Sequence, residues 1–166
     1  MSFNKVFLII VGLTFSLLSL ADADASALSR KPPSHANVTL SHAWVRATAD
    51  GQQVGAAYTN LMSDQSATLI SAETDIAGSV EIHSMSMDNG VMKMRRLNTL
   101  SLPKGETVSL APGGFHFMLF DLKKPLKAGE NTTFKLTFKA EDGKIFIQKL
   151  IMPILTEAPA KNEKAY

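Results

Sequence analysis

The sequence predicts an all-β fold, an antiparallel β-sandwich in a single domain. Three observations predict it. After residue 30 the apolar residues recur at a spacing of two, and no strong amphipathic helix is expected. The alternating segments are short, about eight or nine of them. Turn-forming residues punctuate them at regular intervals, as in a sandwich. The chain has 166 residues, enough for one domain with an adequate core.

Taken in order, residues 1–23 read as a secretory signal peptide. Lys5 supplies a thin positive start, Val6 to Leu20 is apolar, and Ala21-Asp22-Ala23 is a small-residue cleavage site. The apolar run is shorter than the ~20 residues a membrane span needs, so export with cleavage near Ala23 is expected. Residues 24–36 form a flexible leader with Pro32-Pro33 and a solvated His35. The β domain is expected over residues 37–155. Val38 to Arg46 is its first strand, with Trp44 expected to anchor the core. Gly55 to Met62 follows, then a turn at Ser63-Asp64-Gln65, then Ala67 to Ala72. Ile76-Ala77-Gly78 breaks the pattern before Val80 to Met87 and Val91 to Leu97. These two strands flank Asn89-Gly90, a strong hairpin signal because both residues tolerate positive φ. Val108 to Leu110 leads through Pro112-Gly113-Gly114 into Phe115 to Leu122. Thr133 to Lys139 alternates cleanly, with Phe134, Leu136 and Phe138 on the inner face. Ile145 to Met152 is the last strand, ended by Pro153, and residues 156–166 form a charged, disordered tail without His or Met.

One stretch stands apart. His83 to Met118 holds two of the four histidines and five of the eight methionines. In the hairpin register set by Asn89-Gly90, Met87 faces Met92, Met85 faces Met94, and His83 is diagonal to Met94. Side chains two apart share a face, so all five point one way. His116 and Met118 likewise share a face, opposite to that of Phe115 and Phe117. Imidazole and thioether make a soft, uncharged donor set that suits Cu(I). Calcium or magnesium would want oxygen ligands. Structural zinc usually takes cysteine, and a blue-copper centre requires it; the chain has none.

The spacing from His83 through ten residues to Met94, through twenty-one to His116, and through one to Met118 resembles the motif of the PCu(A)C family of periplasmic copper chaperones. So do AWVRAT at Ala43 to Thr48, GAAYTNL at Gly55 to Leu61, and LAPGGFHFML from Leu110. The resemblance covers roughly Val38 to Pro153. It implies a cupredoxin-like, antiparallel Greek-key β-sandwich that binds one Cu(I) through His83, Met94, His116 and Met118. It further implies periplasmic delivery of copper toward the Cu(A) site of cytochrome c oxidase. Its partners would be subunit II of that oxidase and a thioredoxin-like copper protein. Met85, Met87 and Met92 are not assigned by the motif; they are a hydrophobic collar or transient ligands. His42 is expected at the surface, and Arg95 and Arg96 as solvated edge residues.

Several classes are disfavoured. Net charge is +2 with no basic stripe, so nucleic acid is not an expected partner. No nucleophile–base motif points to an enzyme, and a histidine-brace oxidase would need histidine as the mature first residue. The alternatives are an exported β-sandwich interaction module, or a copper resistance or storage protein without oxidase delivery.

Overall fold

The computed structural model describes residues 36–159. The signal peptide read at residues 1–23, the leader read at 24–36 except Ala36, and residues 160–166 of the tail read at 156–166 lie outside the described residues. Within them the fold is all-β: β1 (Val38–Arg46), β2 (Val54–Ser63), β3 (Ala67–Thr74), β4 (Ser79–Asp88), β5 (Val91–Leu97), β6 (Leu100–Leu102), β7 (Thr107–Leu110), β8 (Phe115–Phe120), β9 (Asn131–Ala140) and β10 (Ile145–Leu155). The strand order is β5-β4-β8-β7-β2-β1-β10-β9-β3-β6, with β8 also paired to β2. Most pairs are antiparallel. The exceptions are β1 with the end of β10, and β7 with β8, which are parallel.

The order folds over one apolar core. Val45, Leu61, Phe117 and Leu119 face it from one side, and Leu69, Phe134, Leu136 and Phe138 from the other, all fully buried. Phe117 meets Phe134 across the layers with ring centroids 6.0 Å apart. The inner face read from the alternation of β9 is therefore the one that is buried, and burying each such side chain contributes about 1.5–3 kcal/mol.

The turns explain where strands start and stop. Asn89 (φ 50) and Gly90 (φ 80) both take positive φ, the conformation of the two-residue turn expected there. Gly78 serves a close approach: a Cβ at that position would stand 2.9 Å from the Cβ of Asp121. Its amide also donates to the carbonyl of Phe120 at 2.9 Å.

Four expectations are corrected. Strand β8 ends at Phe120 rather than Leu122, because Asp121 turns the chain with φ 54. Strand β10 runs past Pro153 to Leu155. The ladder survives the missing N–H because Ile154 donates instead, to the carbonyl of Glu130 at 2.8 Å. Strand β6 was not expected. Its three residues are too few to show a period, yet Leu100 and Leu102 are buried and pair with β3. Trp44 is buried but lies outside the core. A bulge between Ser41 and Trp44 places it opposite Tyr58 on the outer face of the sheet.

Candidate metal centre

Three adjacent strands build the site on that outer face. In β4, Ile82 points into the core and is buried, so the period of two turns Glu81, His83, Met85 and Met87 outward. In β8, buried Phe117 and Leu119 do the same for His116, Met118 and Phe120. The pairing of β4 with β8 sets His83 directly opposite His116 and Glu81 opposite Met118. The imidazole centroids are 5.9 Å apart. The pairing of β4 with β5 sets Met85 opposite Met94, Met87 opposite Met92 and His83 opposite Arg96. The hairpin register read from Asn89-Gly90 is the register observed.

Each imidazole has one nitrogen committed to the protein. His116 is buried, and its Nδ1 lies 3.0 Å from the carbonyl oxygen of Gly114. A carbonyl can only accept, so Nδ1 carries the proton and Nε2 keeps its lone pair. His83 shows the reverse arrangement: its Nε2 lies 2.8 Å from Oε2 of Glu81. The ionised carboxylate accepts, which leaves Nδ1 of His83 as the lone-pair nitrogen. That Nδ1 is buried and has no hydrogen-bond partner among the described residues. Glu81 is itself held by Arg96, whose guanidinium is 3.1 Å from Oε1. Buried acceptors of this kind are seldom left alone, and a bound cation would satisfy one.

An aromatic row continues from the histidines across the sheet. Tyr58 lies beside His116 with centroids 6.5 Å apart, and Trp44 packs on Tyr58 at 4.7 Å. Arg46 covers both rings at 5.7 and 5.9 Å, a cation–π contact that closes this flank. Phe120 stands 6.1 Å from His83 on the other side.

The structure thus brings His83, His116 and Met118 onto neighbouring positions of two paired strands. Met94 is set further off. It opposes Met85 while Met118 opposes Glu81, so four residues of β4 separate their registers, on opposite sides of the histidine pair. It is also 48% exposed. Glu81, Arg96 and the carbonyl of Gly114 are not assigned to the site by the sequence. Glu81 was findable, since a residue two before His83 shares its face. Arg96 was read as a solvated edge residue, but it fixes the carboxylate that holds His83. His42 was read as a plain surface residue. It sits at the β1 bulge with φ 52, half-buried, its Nδ1 3.3 Å from the side-chain amide of Asn60.

Fold and face together define a cupredoxin-like β protein that presents paired imidazoles beside thioethers. The chain belongs to the LpqE-like family, whose model, described as "Putative lipoprotein LpqE-like", matches residues 38–146. RP573 of Rickettsia prowazekii (strain Madrid E) is 32% identical over 133 residues, covering 76% of this chain and 72% of that protein. Lxx21020 of Leifsonia xyli subsp. xyli (strain CTCB07), whose name carries the same lipoprotein description, is 33% identical over 102 residues. This match spans 61% of each protein, so the chain covers less than two thirds of that relative. Among solved structures, the apo PCuAC domain from PmoF1 is similar at 26% identity and a TM-score of 0.55, covering 75% of this chain and all of that domain. The Cu(I) form of DR1885 from Deinococcus radiodurans is 33% identical with a TM-score of 0.50, covering 77% of this chain and 85% of that one. No helix among the described residues is long and apolar enough to cross a membrane.

Proposed function

We propose that this chain is an exported, periplasmic carrier of copper that holds one Cu(I) through His83, Met94, His116 and Met118. Its task would be delivery toward the Cu(A) site of cytochrome c oxidase, with subunit II and a thioredoxin-like copper protein as partners. The observation that carries the reading is the His83–His116 pair. Each ring offers one lone-pair nitrogen while its other nitrogen is held by a carboxylate or a carbonyl. Metal-binding histidines are oriented in this way. Thioethers beside them bias the set toward Cu(I), and the likeness to PCuAC domains supports copper as the cargo.

The ion is cargo rather than a resident cofactor, and its exchange between ligands needs no acid or base, so the chain acts as a carrier and not as an enzyme. Met118 follows His116 on a rigid strand and is the natural third ligand. Met94 must reach across from β5. On a flat sheet four residues correspond to ~13 Å and two strand spacings to ~10 Å. Strand twist and the three rotatable bonds of methionine close that gap. Met94 is then the last ligand to arrive and the first to leave, which suits transfer to a partner.

The deciding experiment is an anaerobic Cu(I) titration against a competing chromophoric chelator. One tight equivalent is expected, lost in His116→Ala and weakened less in Met94→Leu than in Met118→Leu. Wild-type affinity in His116→Ala would overturn the ligand assignment. Mixing the loaded protein with the copper-free subunit II domain, followed by metal analysis after separation, tests delivery. Copper that stays on the carrier would favour storage or resistance instead.

A further inference from the structure

The β4–β5 hairpin carries a feature that the four-ligand centre does not use. Met87 and Met92 are a direct cross-strand pair, and Met85 and Met94 are the next pair on the same face. Cβ atoms in such pairs stand ~5 Å apart, and diagonal ones ~7–8 Å. The face is not covered: Met87 is 64% exposed, Met92 47% and Met94 48%, and Met85 is half-buried. Neither packing nor strand propensity accounts for this choice, since an uncovered strand favours β-branched and aromatic residues. The alternation is strict. The opposite face of the hairpin holds Ser84, Ser86 and Asp88 on β4, with Lys93 and Arg95 on β5. Lys93 pairs there with Asp88. Formal charge is thus kept off the methionine face around the turn, and a ladder of neutral sulfur donors remains.

We infer that this ladder is a second Cu(I) site, formed by the thioethers of Met85, Met87 and Met92 and separate from the histidine centre. Three neutral sulfurs on one ribbon match a soft monovalent ion and no hard one. Without imidazole the site binds more weakly than the histidine centre. Exposure gives it the faster exchange, so it takes up copper first and passes it along the ribbon by way of Met94. The inference goes beyond the carrier reading and stands without it.

The test uses Ag(I) as a redox-inert probe alongside Cu(I), with the protein labelled at the methionine methyl carbons and followed by NMR. Two equivalents are expected, with the methyl signals of Met87 and Met92 moving during the second. His116→Ala should lose the tighter equivalent and keep the shifts of Met87 and Met92. Met85→Leu/Met87→Leu/Met92→Leu should keep the tighter equivalent and lose the weaker. The leucines conserve volume at exposed or half-buried positions, and spectral dispersion checks the fold. A single wild-type equivalent that His116→Ala abolishes, a second one that survives the triple substitution, or loss of both in His116→Ala would each overturn the ladder site. Shifts at Met87 and Met92 without any His116-dependent equivalent would instead sink the carrier reading and leave the ladder standing.

Discussion

Two antiparallel ribbons in this protein are written in the same sequence pattern and meet opposite fates. β9 and β10 pair over nine positions from Ile145–Lys139 to Pro153–Asn131, and the alternating Phe134, Leu136 and Phe138 are fully buried. β4 and β5 pair over seven, and the alternating Met85, Met87, Met92 and Met94 meet solvent. Alternation determines which side chains share a face. Whether that face is covered depends on what the rest of the chain lays over it. The buried face of β9 is built from phenylalanine and leucine, and the uncovered face of the β4–β5 hairpin from methionine.

The largest expected effect separates the two ribbons by stability. Phe138→Ala should cost about 3–5 kcal/mol, read as a fall in the urea midpoint. Met87→Ala should stay within about 0.5 kcal/mol. Equal losses would mean that the methionine face packs against something, and the contrast would collapse. Copper binding reverses the ranking. His116→Ala should lower Cu(I) affinity by about 100-fold or more, whereas Phe138→Leu should leave affinity near wild type while lowering the urea midpoint. If the core substitution were the one that abolished binding, the site would depend on general rigidity rather than on its ligands.

How much of this was legible in the sequence follows the same division. The hairpin was readable because it is local: Asn89-Gly90 sets the turn, the turn sets the register, and every Met–Met pair follows. The burial of Phe134, Leu136 and Phe138 was readable because they alternate cleanly. The pairing of β4 with β8 was not. These strands are separated in the chain by β5, β6 and β7, and no spacing rule states that His83 will oppose His116. The motif placed the two histidines in one set, and only the β4–β8 ladder puts them face to face. Trp44 misled for a related reason. A lone tryptophan on a strand reads as core, but the bulge before it turned it to the outer face beside Tyr58.

A subtler prediction concerns Glu81, a residue that acts through another. Its carboxylate holds Nε2 of His83 and is held by Arg96. Glu81→Gln keeps the shape but can present an amide N–H to the ring, which permits the wrong tautomer. Substitutions of this type at metal sites cost about 10–100-fold in affinity. The chelator titration should show that loss, and NMR of the His83 ring nitrogens should show the proton moving toward Nδ1. An unchanged tautomer together with unchanged affinity would reduce Glu81 to a surface ion pair.

The smallest effect sharpens the comparison most. Gly90 (φ 80) turns the methionine hairpin and Gly143 (φ 83) turns the core ribbon, and neither has an atom within 4 Å of where a Cβ would stand. Alanine at either position therefore meets no clash and suffers only the left-handed backbone penalty, about 1–2 kcal/mol. The local strain is the same, but the two ribbons should report it differently. Gly143→Ala strains a ribbon whose inner face is part of the core, so the cost should appear in global unfolding. Gly90→Ala strains a ribbon that can open at its uncovered tip, so much of the cost should appear as faster amide exchange near Met87 and Met92. The urea midpoint should then shift less for Gly90→Ala than for Gly143→Ala. Equal shifts in the midpoint would show that the hairpin unfolds only with the rest of the molecule. The methionine face would then be as rigid as the core it resembles in sequence, and a copper ion would meet preformed ligands instead of mobile ones.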